Sequence, residues 1–158
     1  MEENIQHIIE LAKKEFIMED HSIHGFEHWE EVEKNAIMLA NQPGVDLTVV
    51  RLFAYIHDCR RQDDHIDPEH GQRSAQFVLE LKQSGELDFL NEEQVNTLWF
   101  ACKNHNDGVV SDDVTIGTCF DSDRIELIRC GMIPRPVLMS TKTGIRIAEK
   151  MQKLYNLL

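Results

Sequence analysis

The stretch Phe53-Ala54-Tyr55-Ile56-His57-Asp58 sets two ionisable residues directly after an apolar run, and its phase governs how the rest of the chain reads. Val49, Leu52, Phe53 and Ile56 recur at helical steps, which predicts a helix with one buried face and Asp46 as its N-cap. His57 lies four residues after Phe53 and so ends the buried stripe. Asp58 follows about 100° further round, by the 3.6-residue repeat. An imidazole and a carboxylate at the inner end of a core helix are chemistry in an apolar setting.

Working outward, helix-period patterning continues in both directions. Ile5, Ile8, Ile9, Ala12 and Phe16 predict a first helix, and Val32, Ala36 and Leu39 a second from about Phe26 to Ala40. Asp67-Pro68-Glu69 reads as the start of a fourth, with a capping Asp and Pro in the first turn; it carries Ser74, Phe77, Val78 and Leu81 and stops near Gly85. Asn91 and Gln94 have capping-box spacing and open a fifth through Val95, Leu98, Ala101 and Cys102. After a polar loop (106–113) a sixth is predicted over Thr115 to Arg129, and a last over Gly144 to Leu157. Between them Gly131 to Thr143, with Pro134 and Pro136, reads as a loop long enough to act as a lid. Strand patterning is nearly absent. The expectation is an all-α fold, a single compact multi-helix domain over residues 1–158. Its motif-bearing core spans about 21–130, followed by a C-terminal loop and helix over 131–158.

Composition narrows the function. A chain of 158 residues buries a core without staples. No apolar run is long enough to cross a bilayer, and the first sixteen residues lack the basic and uninterrupted apolar regions of a signal peptide. The four cysteines are scattered, with no CxxC pair, and read as buried thiols of a reducing compartment; a cytoplasmic protein is expected. A net charge of −12 repels a phosphate backbone, which argues against a nucleic-acid polymer as partner. A small phosphorylated substrate is compatible with it, because a bound metal reverses the field locally.

Further ionisable residues share the inward phase. His28 lies four residues before Val32, Asp123 three after Phe120, His105 three after Cys102, and His70 four before Ser74. Two buried carboxylates are costly together unless a cation neutralises them. Imidazole and carboxylate without thiolate suit Mn, Fe, Co, Ni or Zn in an open site. A hydrogen-bonded core histidine is the plainer reading of any one of these positions, and Asp123 is also placed to pair with Arg124 or Arg129.

His28, then His57-Asp58, then Asp123 within Asp121-Ser122-Asp123-Arg124-Ile125-Glu126-Leu127, resembles the HD-domain superfamily of metal-dependent phosphohydrolases. The resemblance spans roughly residues 21 to 130. It implies an all-helical fold and a divalent metal held by His28, His57, Asp58 and Asp123, with Asp121 set aside. His70 and His105 occupy places where two-metal branches carry additional histidines; they read as ligands of a second metal, as substrate contacts, or as hydrogen-bonded residues. His24 reads as a surface residue or as part of the entrance. Nucleotidase and alarmone-hydrolase branches often place an acid three positions after the HD doublet; here that position is Arg61, preceded by Arg60. These arginines read either as a phosphate fork or as a solvated pair bonded to Asp63 or Asp64. Arg124 reads as a partner of an aspartate.

The resulting expectation is hydrolysis of a small phosphoester or nucleotide by metal-activated water, with Arg61 positioning phosphate and Asp58 accepting a proton while remaining a ligand. Two other readings stand beside it: a di-iron oxygenase that uses all six ligands, and a non-catalytic metal- or nucleotide-binding regulatory module. Substrate, nuclearity and oligomeric state are open at this level.

Overall fold

The apolar run ending at Ile56 forms a helix (α3, Leu47–Ile56) that is buried on almost every side. Val49, Leu52, Phe53 and Ile56 form the expected stripe, but Val50, Ala54 and Tyr55 are buried too. A helix apolar all round belongs at the centre of its domain. In this computed structural model, which describes residues 1–19 and 21–156, α3 touches five other helices. They are α1 (Glu2–Glu15), α2 (Phe26–Leu39), α4 (His70–Gln83), α5 (Glu92–Asn104) and α6 (Val114–Glu126). Each fully buried Leu or Phe of such a helix stabilises the fold by about 1.5–3 kcal/mol. The Asp46 side chain accepts the Val49 amide at 3.1 Å, as a cap should.

No strand occurs among the described residues, and the fold is all-α. α4 and α5 pack closely because Gly71 lies where they meet. A Cβ there would stand 2.8 Å from the Lys103 carbonyl and 2.9 Å from that of Cys102. The close approach sets His70, next to Gly71, against His105. The capping box of α5 is present as read, with Asn91 accepting the Gln94 amide and Gln94 accepting that of Asn91.

Four local expectations are corrected. Asp67 does not cap α4, which begins at His70; its carboxylate is taken instead by Arg73 and by the Gln62 amide. α6 is shorter than predicted and tightens into a 3-10 turn over Leu127–Cys130. That turn carries Cys130 to the surface, so only Cys59, Cys102 and Cys119 are buried thiols. The last helix (α7, Lys142–Tyr155) starts two residues early; its predicted end at Leu157 lies outside the described residues.

The predicted lid is largely a fixed wall. A 3-10 turn over Pro136–Leu138 interrupts it, and Met139 is buried with Leu39, Ile125 and Ala148. Asp121 accepts the amides of Ser140 and Thr141, both at 2.8 Å, and the Thr141 hydroxyl at 2.7 Å. Thr141 in turn caps α7 through the Gly144 amide. Asp121 is therefore a structural clamp, and Gly144 is the residue that leaves it room: a Cβ there would meet Oδ2 at 2.2 Å. Asp121→Ala is expected to destabilise the fold by about 3 kcal/mol, since buried donors lose a charged acceptor. Urea unfolding followed by circular dichroism measures this, and metal content should stay unchanged.

Candidate metal centre

Three imidazoles are oriented by the same local device. His57 donates Nδ1–H to the carbonyls of Phe53 and Ala54 at 3.2 and 3.0 Å. His105 donates Nδ1–H to the Cys102 carbonyl at 2.8 Å, and His70 donates to that of Asp67. A carbonyl three or four residues back holds each ring, so the opposite nitrogen, Nε2, points away from the backbone toward a shared centre.

Asp58 occupies that centre, and its two oxygens face different neighbours. Oδ2 lies 3.1 Å from His24 Nδ1, 3.5 Å from His57 Nε2 and 3.7 Å from His28 Nε2. Oδ1 lies 3.2 Å from His70 Nε2, 3.5 Å from His105 Nε2 and 3.6 Å from an Arg61 Nη atom. Asp123 completes the first side, its Oδ1 standing 3.2 Å from His28 Nε2 and 3.6 Å from His57 Nε2. His28 and His57 approach Nε2 to Nε2 at 3.2 Å, and His70 and His105 at 2.9 Å.

The donor set fits a divalent metal. Asp58 Oδ1 is buried without a hydrogen-bond partner, although a carboxylate oxygen in such a place ordinarily has one. Oxygen and nitrogen ligands about 2.0–2.2 Å from one ion lie roughly 3.0–3.5 Å from one another, in the range of the separations above. His28, His57 and Asp123 form one such group; His57, Asp58 and His105 another; His24, His28 and Asp58 a third.

The electrostatics agree. Burial pushes His57 down to about 4, more than Asp58 and Asp123 can offset, so its ring is neutral and able to ligate. Burial also lowers His70. For His28, burial is outweighed by the Asp123 and Glu126 carboxylates, which raise it to about 9. His105 is likewise raised by Asp58 against its own burial. Burial would raise both carboxyls, but the imidazoles hold Asp58 and Asp123 well below the usual carboxylate range.

The structure thus gathers His28, His57, Asp58, Asp123, His70 and His105 into one cluster, with Arg61 beside it. Arg61 is buried, its Nε donating to the Asp63 carbonyl at 2.9 Å and an Nη atom 3.1 Å from the His70 ring. Arg60 is not part of the site: Glu15 and Glu80 hold it over the Phe77 ring. Arg124 bonds the carbonyls of Leu138 and His105 rather than an aspartate. His24, read as a surface or entrance residue, lies in the turn before α2 and reaches Asp58. Glu126 was missed in the sequence: it lies 4.0 Å from His28 Nδ1, and its place one turn after Asp123 was the available signal. The cluster forms the floor of a cavity of about 420 Å³.

No protein-family model matches the chain, and no curated protein matches it. Among solved structures it is similar to a predicted HD superfamily hydrolase from an uncultured Thermotogales bacterium. The TM-score is 0.71 over 95% of this chain and 86% of that one, at 19% identity. The chain has the HD-domain fold. In this HD fold α2, α3 and α6 bring together the four residues of the ordered pattern, and α4 and α5 add two histidines. No helix among the described residues is long and apolar enough to cross a membrane.

His28 alone among these rings has a buried Nδ1 without a hydrogen-bond partner, and Glu126 is the carboxylate closest to supplying one. Carboxylates that hold a ligating imidazole typically change metal affinity by 10–100-fold when removed. Glu126→Ala is expected to weaken Mn²⁺ binding by about that factor, measured by isothermal titration calorimetry, with helical content unchanged. Binding as tight as in the parent protein would show that Glu126 does not orient His28.

Proposed function

We propose that the protein is a metal-dependent hydrolase of small phosphate monoesters. The observation that carries this reading is the convergence of imidazole Nε2 atoms and two carboxylates around Asp58, whose buried Oδ1 lacks a hydrogen-bond partner, at the floor of a cavity. His28, His57, Asp58 and Asp123 would hold the metal. Such an ion supplies Lewis acidity toward a phosphoryl oxygen and lowers the pKa of a bound water.

The chain's own residues supply the rest. Arg61, fixed by the Asp63 carbonyl at its Nε, keeps donors beside Asp58 for a phosphoryl oxygen. Asp58 stays ionised, so it can accept a hydrogen bond from the attacking water and keep it oriented. In the net reaction a water oxygen bonds phosphorus, the ester P–O bond breaks, and the departing oxygen takes a proton to leave as the alcohol.

A two-metal variant of the site has its own support: the two Asp58 oxygens face separate histidine groups, His28 and His57 on one side, His70 and His105 on the other. That arrangement serves a dinuclear hydrolase, and it also keeps the di-iron oxygenase reading in view. Elemental analysis gives the count per chain. Two irons with dioxygen consumption and no phosphate release would favour the oxygenase.

Purified protein loaded with Mn²⁺, Co²⁺ or Zn²⁺ is expected to release inorganic phosphate from members of a broad monoester panel, with chelator abolishing the release. His57→Ala should lose metal and lower the rate by about 10³-fold or more, the scale of removing a principal electrostatic group. An inactive panel together with undiminished metal content in His57→Ala would end this reading.

A further inference from the structure

The cavity above the centre has two unlike parts. Its polar lining includes His24, His28, His70, His105, Asp58, Asp123 and Arg61, whereas Ile23, Leu127, Met132 and Leu138 supply the apolar wall. Ile23 is 45% exposed and Met132 52% exposed although both face the cavity, so apolar area stays in water until a ligand covers it. The Leu138 end of this wall is held in place. Arg124 lies over the Phe120 ring and bonds the Leu138 carbonyl, and Asp121 clamps the two residues after Met139.

Charge in the cavity is mixed. Arg124 and Arg129 line it, Arg124 donating to the Leu138 and His105 carbonyls and Arg129 with its Nε 3.5 Å from the Glu126 carboxylate. Asp64 accepts the Ser22 hydroxyl at 2.6 Å. Arg61 donates to the Asp63 and His65 carbonyls and keeps an Nη atom 3.6 Å from Asp58 Oδ1 at the floor. A phosphoryl group therefore finds favourable charge at the floor, beside Arg61. The volume of about 420 Å³ lies within the usual range of small-ligand sites and leaves room for a phosphoryl group and a small ring.

We infer that the ligand is a phosphate monoester of a compact apolar alcohol or phenol, with its organic group against Ile23, Leu127, Met132 and Leu138. The phosphate half of this inference rests on the proposed hydrolase reading; the apolar half rests on the wall alone.

The test uses Mn²⁺-loaded full-length protein and two non-hydrolysable probes, methylphosphonate and benzylphosphonate. Benzylphosphonate is expected to bind at least about tenfold more tightly, since only its ring covers the wall. Met132→Gln, at an exposed position, should bring that ratio close to one while leaving methylphosphonate affinity unchanged; Leu138→Asn should do the same if its fold holds by circular dichroism. Equal affinity for the two probes, or a preference that survives Met132→Gln, overturns the inference. Turnover separates the two claims. Faster phosphate release from nucleoside triphosphates than from benzyl phosphate overturns the ligand class. Tight, wall-dependent benzylphosphonate binding with no phosphate release from any ester supports the ligand class and removes the hydrolase reading instead.

Discussion

A carboxylate enclosed by helices has to be answered by positive charge or donated hydrogen, and Asp58 receives both from residues far apart in sequence. An isolated ion in that position would cost several kcal/mol. His24, His28, His57, His70 and His105 all turn a ring nitrogen toward it, from α2 and the turn before it, the end of α3, the start of α4 and the end of α5. Each of those helices must end or begin at the right depth for the ring to reach.

Locking of the rings is local, which explains why so loose a collection of polar side chains remains ordered. A carbonyl three or four residues earlier costs no additional structure, because the helix presents it anyway. His28 lies in the first turn of α2, where the preceding residues lie outside the helix, and its Nδ1 has only Glu126 nearby. The apolar helix α3 offsets the cost of the polar centre: it delivers His57 and Asp58 while its remaining side chains hold five helices together. The same run of sequence serves stability along its length and chemistry at its end.

Most of this was readable from phase. Helices α1 to α5 have apolar residues at regular steps, and α3 and α5 have side-chain caps as well, so their existence and inward faces follow mainly from period. α6 is different. Thr118, Cys119, Phe120, Asp121, Ser122, Arg124 and Ile125 are all buried, so polar and apolar residues share its interior and no stripe separates Asp121 from Asp123. The family pattern made that distinction; the structure gives its reason, since Asp121 turns to the backbone of 140–141 and Asp123 to the imidazoles. The cap at Asp67 failed because Arg73, one turn into α4, outcompetes the helix amides for its carboxylate. The contacts of His24 with Asp58 and of Glu126 with His28 were beyond the sequence for a related cause: each joins partners brought near only by the fold.

Arg124 joins two parts of the molecule that have been described separately. One end of its guanidinium holds the carbonyl of Leu138, in the apolar wall, and the other reaches the carbonyl of His105, whose ring faces Asp58. Wall and centre therefore share a rigid strut. A change that orders one lowers the conformational cost of ordering the other, and such coupling is reciprocal by thermodynamic necessity. In this geometry a molecule held at the wall would act, through one side chain, on the backbone that carries a ring of the centre.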